Sequence, residues 1–81
     1  MTSKETAVEE AVIRDTLAGL LEDFREHAEV VLEAQEQMES AQAGSDRFDK
    51  CVVRLDSALT ALEVTVPAIL RELDRLDDVP Q

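Results

Sequence analysis

The feature that most constrains the fold is a run of apolar residues in the second half of the chain, spaced by alternating steps of four and three. The run consists of Phe48, Val52, Leu55, Leu59, Leu62, Val66, Ile69, Leu73 and Leu76. Its average period of 3.5 residues is typical of a coiled-coil seam, because a stripe with the 3.6-residue period of a straight helix drifts away from its partner. The pattern predicts a helix over about 46–77 that packs lengthwise against another helix.

The first half of the chain carries a weaker version of this pattern. Residues 5–43 contain no proline and one glycine, and most are strong helix formers. The residues in the same rhythm are Ile13, Leu17, Leu20, Phe24, His27, Val31, Ala34, Met38 and Ala41. Leu21, Ala28 and Gln35 widen this stripe. We therefore predict a first helix over about 5–43, with Leu17, Leu20, Phe24, Val31 and Met38 as its main seam residues.

The segment between the two patterns predicts a tight reversal at residues 44–45. Gly44 favours the left-handed conformation that ends a helix, and Ser45 is a good N-cap for the next one. Folding there pairs residues whose numbers add to about ninety, such as Leu59 with Val31. The sequence thus predicts an all-α single domain over 1–81, an antiparallel helical hairpin with coiled-coil-like packing.

Pro67 lies inside the predicted second helix and removes one backbone donor there. Because the apolar rhythm continues across it, we expect a kinked but continuous helix. The alternative is a three-helix chain that is broken at Pro67 and restarts with this proline in the first turn.

A two-helix hairpin of this size buries too little apolar surface to be stable easily, so we expect further helices to cover it. A second stripe of small and apolar residues supports this expectation and is predicted as the partner interface. Its members are Val53, Ala61, Val64 and Ala68. The simplest assembly is a four-helix bundle of two hairpins, while the alternative is that these residues are scattered surface apolars.

The chain is strongly acidic, with 19 Asp and Glu against 8 Lys and Arg and a net charge of -11. This charge disfavours direct binding to nucleic acid or to an anionic membrane. We expect a soluble, intracellular and cytoplasmic protein without a signal peptide or membrane span. A predicted acidic docking row consists of Glu22, Glu26, Glu29, Glu33 and Glu36. The row is either a solvated face, a surface for a basic partner or an adaptation to high salt.

The chain offers little for catalysis, since it has one histidine and one cysteine. A hairpin that folds at Gly44 keeps His27 and Cys51 apart, and Phe24 stands where a Glu-x-x-His metal motif needs glutamate. We predict no catalytic residues, no metal site and no cofactor. His27 on the packing face is either a boundary residue or a pH switch.

These features predict a non-enzymatic interaction module, which acts as an adaptor, scaffold or small regulatory subunit. It would bind itself as a homodimer or bind other helical subunits. The alternative is an acidic inhibitor or nucleic-acid mimic that docks on a basic site of another protein.

Overall fold

A computed structural model of the protein describes the backbone of residues 2–79 and the side chains of residues 7–79. Two helices, α1 (Thr2–Ser40) and α2 (Asp46–Asp77), pack against each other along their length. The hairpin measures 64 × 14 × 13 Å. The predicted all-α hairpin is confirmed. Helix α2 has the expected bounds, whereas α1 begins and ends three residues before the expected 5–43.

The turn between the helices spans residues 41–45, which is longer than the predicted 44–45. The Ala41 N–H donates to the carbonyl of Gln37 at 3.0 Å, and the Ser45 N–H donates to that of Gln42 at 3.1 Å. Gly44 has a φ of 83°, in the left-handed region that glycine adopts without strain. The Ser45 hydroxyl accepts a hydrogen bond from the Phe48 N–H at 3.2 Å, so Ser45 is the N-cap of α2.

Helix α2 continues through Pro67, so the structure has one helix here where the alternative reading had two. Pro67 and Glu63 are both exposed. The Glu63 carbonyl, which loses its helical donor to the proline, therefore lies on the outer side of α2 where water reaches it. This placement explains how the helix tolerates a proline in its interior.

The packed seam follows a regular heptad in both helices, with positions a and d facing the opposite helix. In α2 every one of these side chains is buried or half-buried, and so is each one in α1 except Phe24, which is 38% exposed. The a positions are Glu10, Leu17, Phe24, Val31 and Met38 in α1 and Phe48, Leu55, Leu62, Ile69 and Leu76 in α2. The d positions are Ile13, Leu20, His27 and Ala34 in α1 with Ala41 just after it, and Cys51, Ala58, Thr65 and Glu72 in α2 with Val79 just after it.

One half of the predicted α2 seam differs from the packed one. Val52, Leu59, Val66 and Leu73 lie one residue beyond the d positions, at e, and are 37% to 47% exposed. Small side chains at d, such as Ala58, are buried because they let α1 approach closely rather than because they are large. The apolar run of α2 is thus centred between a and e, turned about 50° from the direction of α1 at 100° per residue.

Candidate interaction surfaces

Two contacts between the helices give their register. The Cys51 thiol donates to Gln37 Oε1 at 3.7 Å, and Arg54 Nη2 lies 3.7 Å from Glu33 Oε2. The residue numbers in these pairs add to 88 and 87, whereas the sequence predicted about ninety. These sums place Leu59 near the level of Ala28 and Glu29, two to three residues from the predicted Val31.

The first surface is built from the e positions of both helices, which lie on the same side of an antiparallel pair. We call it the e face. Its members are Arg14, Leu21, Ala28 and Gln35 from α1 and Val52, Leu59, Val66 and Leu73 from α2. No acidic residue is among these eight side chains, and Phe24 borders them. The apolar part from Val52 to Leu73 covers three heptads, or about 32 Å at 1.5 Å per residue.

The second surface, which we call the g face, lies on the opposite side of the hairpin and is built from the g positions of both helices. Its members are Thr16, Asp23, Val30 and Gln37 from α1 and Arg47, Arg54, Ala61, Ala68 and Arg75 from α2. It carries the Glu33–Arg54 ion pair between the helices. A shallow groove of about 280 Å³ opens on this face. Its lining residues are His27, Val30, Val53, Arg54, Ser57 and Ala58.

The predicted partner interface is on the g-face side and not on the e face. Val53 and Val64 are exposed on the outer surface of α2, with Val64 at 74%, and Ala61 and Ala68 are half-buried at g positions. Two basic groups flank this stripe along α2. They consist of Arg47, Lys50 and Arg54 at one end and Arg71 and Arg75 at the other.

The sequence alone did not lead us to predict these basic groups, although the residues within each group are spaced by three or four. Arg47, Lys50 and Arg54 line a second open groove, of about 450 Å³, together with Asp46, Cys51 and Gln37. The α2 side of the g face therefore carries five basic side chains within a strongly acidic chain, and two of them, Arg54 and Arg75, pair with Glu33 and Glu72.

Glu72 is a second residue that sequence reasoning missed. It occupies a d position and is 7% exposed, and Arg75 Nη1 donates to its two carboxylate oxygens at 3.2 and 3.1 Å. Counting the heptad from Phe48 with a first step of three would have placed this glutamate in the seam. Counting with a first step of four placed Leu73 there instead.

The two residues considered for nucleophilic chemistry are in different places. The buried Cys51 thiol contacts Gln37, while His27 lies beside Arg54 and Ala58. Cys51 belongs to the seam itself, where it occupies a d position. Over the part of the chain that the structure describes, no three His, Cys, Asp or Glu side chains are grouped so as to hold a metal ion.

The acidic docking row lies on the outer surface of α1, at c and f positions. Its five members, Glu22, Glu26, Glu29, Glu33 and Glu36, are all exposed. Glu29 pairs with Arg25 at 3.3 Å and Glu33 with Arg54 at 3.7 Å. Two of the five carboxylates thus have a cationic partner within the chain.

Comparison of the chain with models of protein families, with curated proteins and with solved structures gives no match. Neither helix, over the residues described, has an apolar stretch long enough to cross a membrane.

Proposed function

We propose that this protein is a non-enzymatic helix-association module that packs its e face against further helices to complete a four-helix bundle. The observation that carries the proposal is the row of large apolar side chains at Val52, Leu59, Val66 and Leu73, which the hairpin leaves 37% to 47% exposed. Contiguous exposed apolar patches of this kind mark interaction sites on soluble proteins. The role that follows is that of an adaptor, scaffold or small regulatory subunit.

The total exposed surface supports the same proposal. The chain exposes 6107 Å², whereas a compact monomer of this mass would expose about 4,800 Å². The excess arises because two long helices in one layer each have a single covered side. A second layer of helices on the e face would remove much of this excess. Burying the leucine and valine side chains there would stabilise the assembly by about 25 cal/mol for each Å² of apolar surface removed from water.

The e face is a better docking surface than the predicted stripe on α2. Its central residues Leu21, Leu59 and Val66 are larger than the half-buried Ala61 and Ala68, and its e positions include no carboxylate. Large apolar anchors with few charges around them dominate binding at helix interfaces. The proposed setting is the cytoplasm, where a free thiol such as that of Cys51 stays reduced.

A pair of valine substitutions on opposite sides of α2 tests the proposal. Val66→Asp places a charge on the e face, and Val64→Asp places the same charge on the outer surface two residues away. Sedimentation equilibrium at micromolar concentrations should give an assembly for the unmodified protein and for Val64→Asp, and a loss of assembly for Val66→Asp. A stably helical single chain for the unmodified protein would contradict the proposal.

The second candidate is an acidic inhibitor that occupies a basic site on another protein. It is supported by the exposure of all five members of the acidic docking row. Reversing the charge of Glu26, Glu29 and Glu33 together should abolish association with a basic target protein if this row is the binding surface. Unchanged association would eliminate this candidate, and the e face plays no part in the outcome.

A further inference from the structure

We propose that the occupant of the e face is a second copy of this chain, stacked so that both turns lie at the same end and α1 of each copy covers α2 of the other. The inference rests on the proposed function and names its partner and geometry. Three observations support it: the surface area of the hairpin, the absence of acids at its e positions, and the charges that flank the e face.

The area is sufficient for a dimer without other subunits. Two chains that each expose 6107 Å² would bury about 4,000 Å² in total if they formed a compact particle of twice the mass. This value falls in the range of about 2,000–5,000 Å² found for obligate homodimers. One further copy is thus enough to cover the exposed apolar row.

The net charge of -11 opposes self-association in general, but its location spares this face. The e positions carry Arg14 and no acid, and the acidic docking row lies on the outer surface of α1. A copy that approaches the e face therefore meets apolar side chains first. The carboxylates of the row stay in water at the outside of the dimer, where salt screens their repulsion.

Two copies can stack with their turns at the same end, which places α1 on the partner's α2, or at opposite ends, which places α2 on the partner's α2. The side chains that flank the e face distinguish these two arrangements. The next row outward, at b positions, holds Asp49, Asp56, Glu63, Leu70 and Asp77 on α2, so four of its five side chains are acidic. On α1 the same row holds Ala11, Ala18, Arg25, Leu32 and Glu39. Stacking α2 on the partner's α2 brings two rows of four acids together. Stacking α1 on the partner's α2 leaves a single acid–acid approach for each pair of helices, between Glu39 and Asp49 of the partner subunit.

In the proposed stacking, Arg25 also gains an opposite charge. The register of the hairpin makes residue 25 level with residue 62, so Arg25 of one copy lies within one residue of the level of Glu63 of the partner subunit. The two-fold axis forms this pair twice. Because each pair sits at the rim of the interface, it contributes to orientation more than to affinity.

The orientation is measured directly from the distance between the two turns. A spin label on Ala43→Cys, in a Cys51→Ala background, should give a distance within about 30 Å in the dimer, since neighbouring helices in a bundle are about 8–10 Å apart. Stacking with the turns at opposite ends would give a distance close to the 64 Å length of the hairpin. The long distance would overturn the inference and leave association through the e face intact.

A charge series that keeps Cys51 provides an independent test at low salt. Arg25→Glu and Glu63→Arg should each raise the dimer Kd about threefold to tenfold, and the double variant should recover to within about twofold. Glu36→Arg, on the outer surface, is the control and should not weaken the dimer. A tighter dimer for Glu63→Gln indicates the opposite stacking, and an assembly of three or more chains also overturns the inference. A single folded chain at all concentrations contradicts both this inference and the proposed function.

Discussion

The e face and the g face belong to the same two helices and differ in how far their side chains find partners within the hairpin. On the g face, Arg54 forms an ion pair with Glu33 of the other helix. Small side chains there, such as the half-buried Ala61, leave little apolar surface in water. The e face carries Leu59, Val66 and Leu73, which remain partly in water. An apolar side chain therefore stabilises the hairpin fully only if it points at the other helix.

The difference between the faces originates in the d row of α2. Cys51 and Ala58 are small and Thr65 and Glu72 are polar, so this row brings the helices together without much apolar area. The large side chains stand one residue later, at e. In a four-helix bundle a helix contacts two neighbours, and a stripe centred between a and e points between them. The α2 run has this direction.

The largest expected effect comes from a charge in the a row, which is packed in the single hairpin and also in the proposed bundle. Leu62 occupies an a position, so Leu62→Asp places a carboxylate in the seam of the hairpin and at the centre of any bundle. We expect a loss of about 4 kcal/mol or more and an unfolded chain at 25 °C. Circular dichroism at 222 nm measures the loss of helix. Full helicity in this variant would show that the seam is assigned to the wrong row.

A smaller effect, of opposite sign, is expected at Glu72. Replacing this buried carboxylate by leucine removes a charge from the seam and extends the apolar surface of the d row. The remaining Arg75 is accessible to water. We expect Glu72→Leu to raise the free energy of unfolding by about 1–2 kcal/mol in denaturant titrations. Asp74→Leu, on the outer surface, is the matched control and should change stability by about 0.5 kcal/mol or less.

Decreased stability of Glu72→Leu would mean that the Glu72–Arg75 pair holds the seam in register. With that register lost, the e positions of α2 would no longer form one exposed face in Glu72→Leu.

The smallest effect concerns Gly19, which sits at a c position of α1 on the side of the g face. A Cβ added there meets nothing within 4 Å. Gly19→Ala should therefore stabilise the protein by about 1 kcal/mol through helix propensity alone. Gly44→Ala should destabilise it by about the same amount, because φ is 83° there. A destabilised Gly19→Ala in thermal melts would indicate a partner packed on this side of α1.

The sequence was sufficient for the hairpin, the α2 bounds, the turn at Gly44, the a row of α2 and the seam of the first half from Ile13 on. Turn chemistry and apolar period agreed at these points, and such agreement between levels specifies a fold. It was not sufficient for the d row of α2. Apolarity favoured Leu59 over Ala58, but the close approach of α1 decides which of these neighbours is covered, and this distance is a property of the pair of helices.

The two surfaces were predictable in part for the same reason. The position of Val53, Ala61, Val64 and Ala68 along one side of α2 follows from helical geometry. Their relation to the e face depends on the rotation of α2 about its own axis, which the assignment of d fixes. The same assignment would have placed Glu72 in the seam and the basic groups on the side of the g face.

The central claim is that the e face is covered in the assembled protein and that the outer surface of α2 is open. Thiol reactivity measures this directly, with Val66→Cys and Val64→Cys compared in a Cys51→Ala background. In one hairpin the two positions differ only twofold in exposure, at 37% and 74%. We expect the thiol at 66 to react with a maleimide about tenfold or more slowly than the thiol at 64 at assembling concentrations, with the ratio falling to two or less on dilution. A ratio of two or less at every concentration would contradict the account.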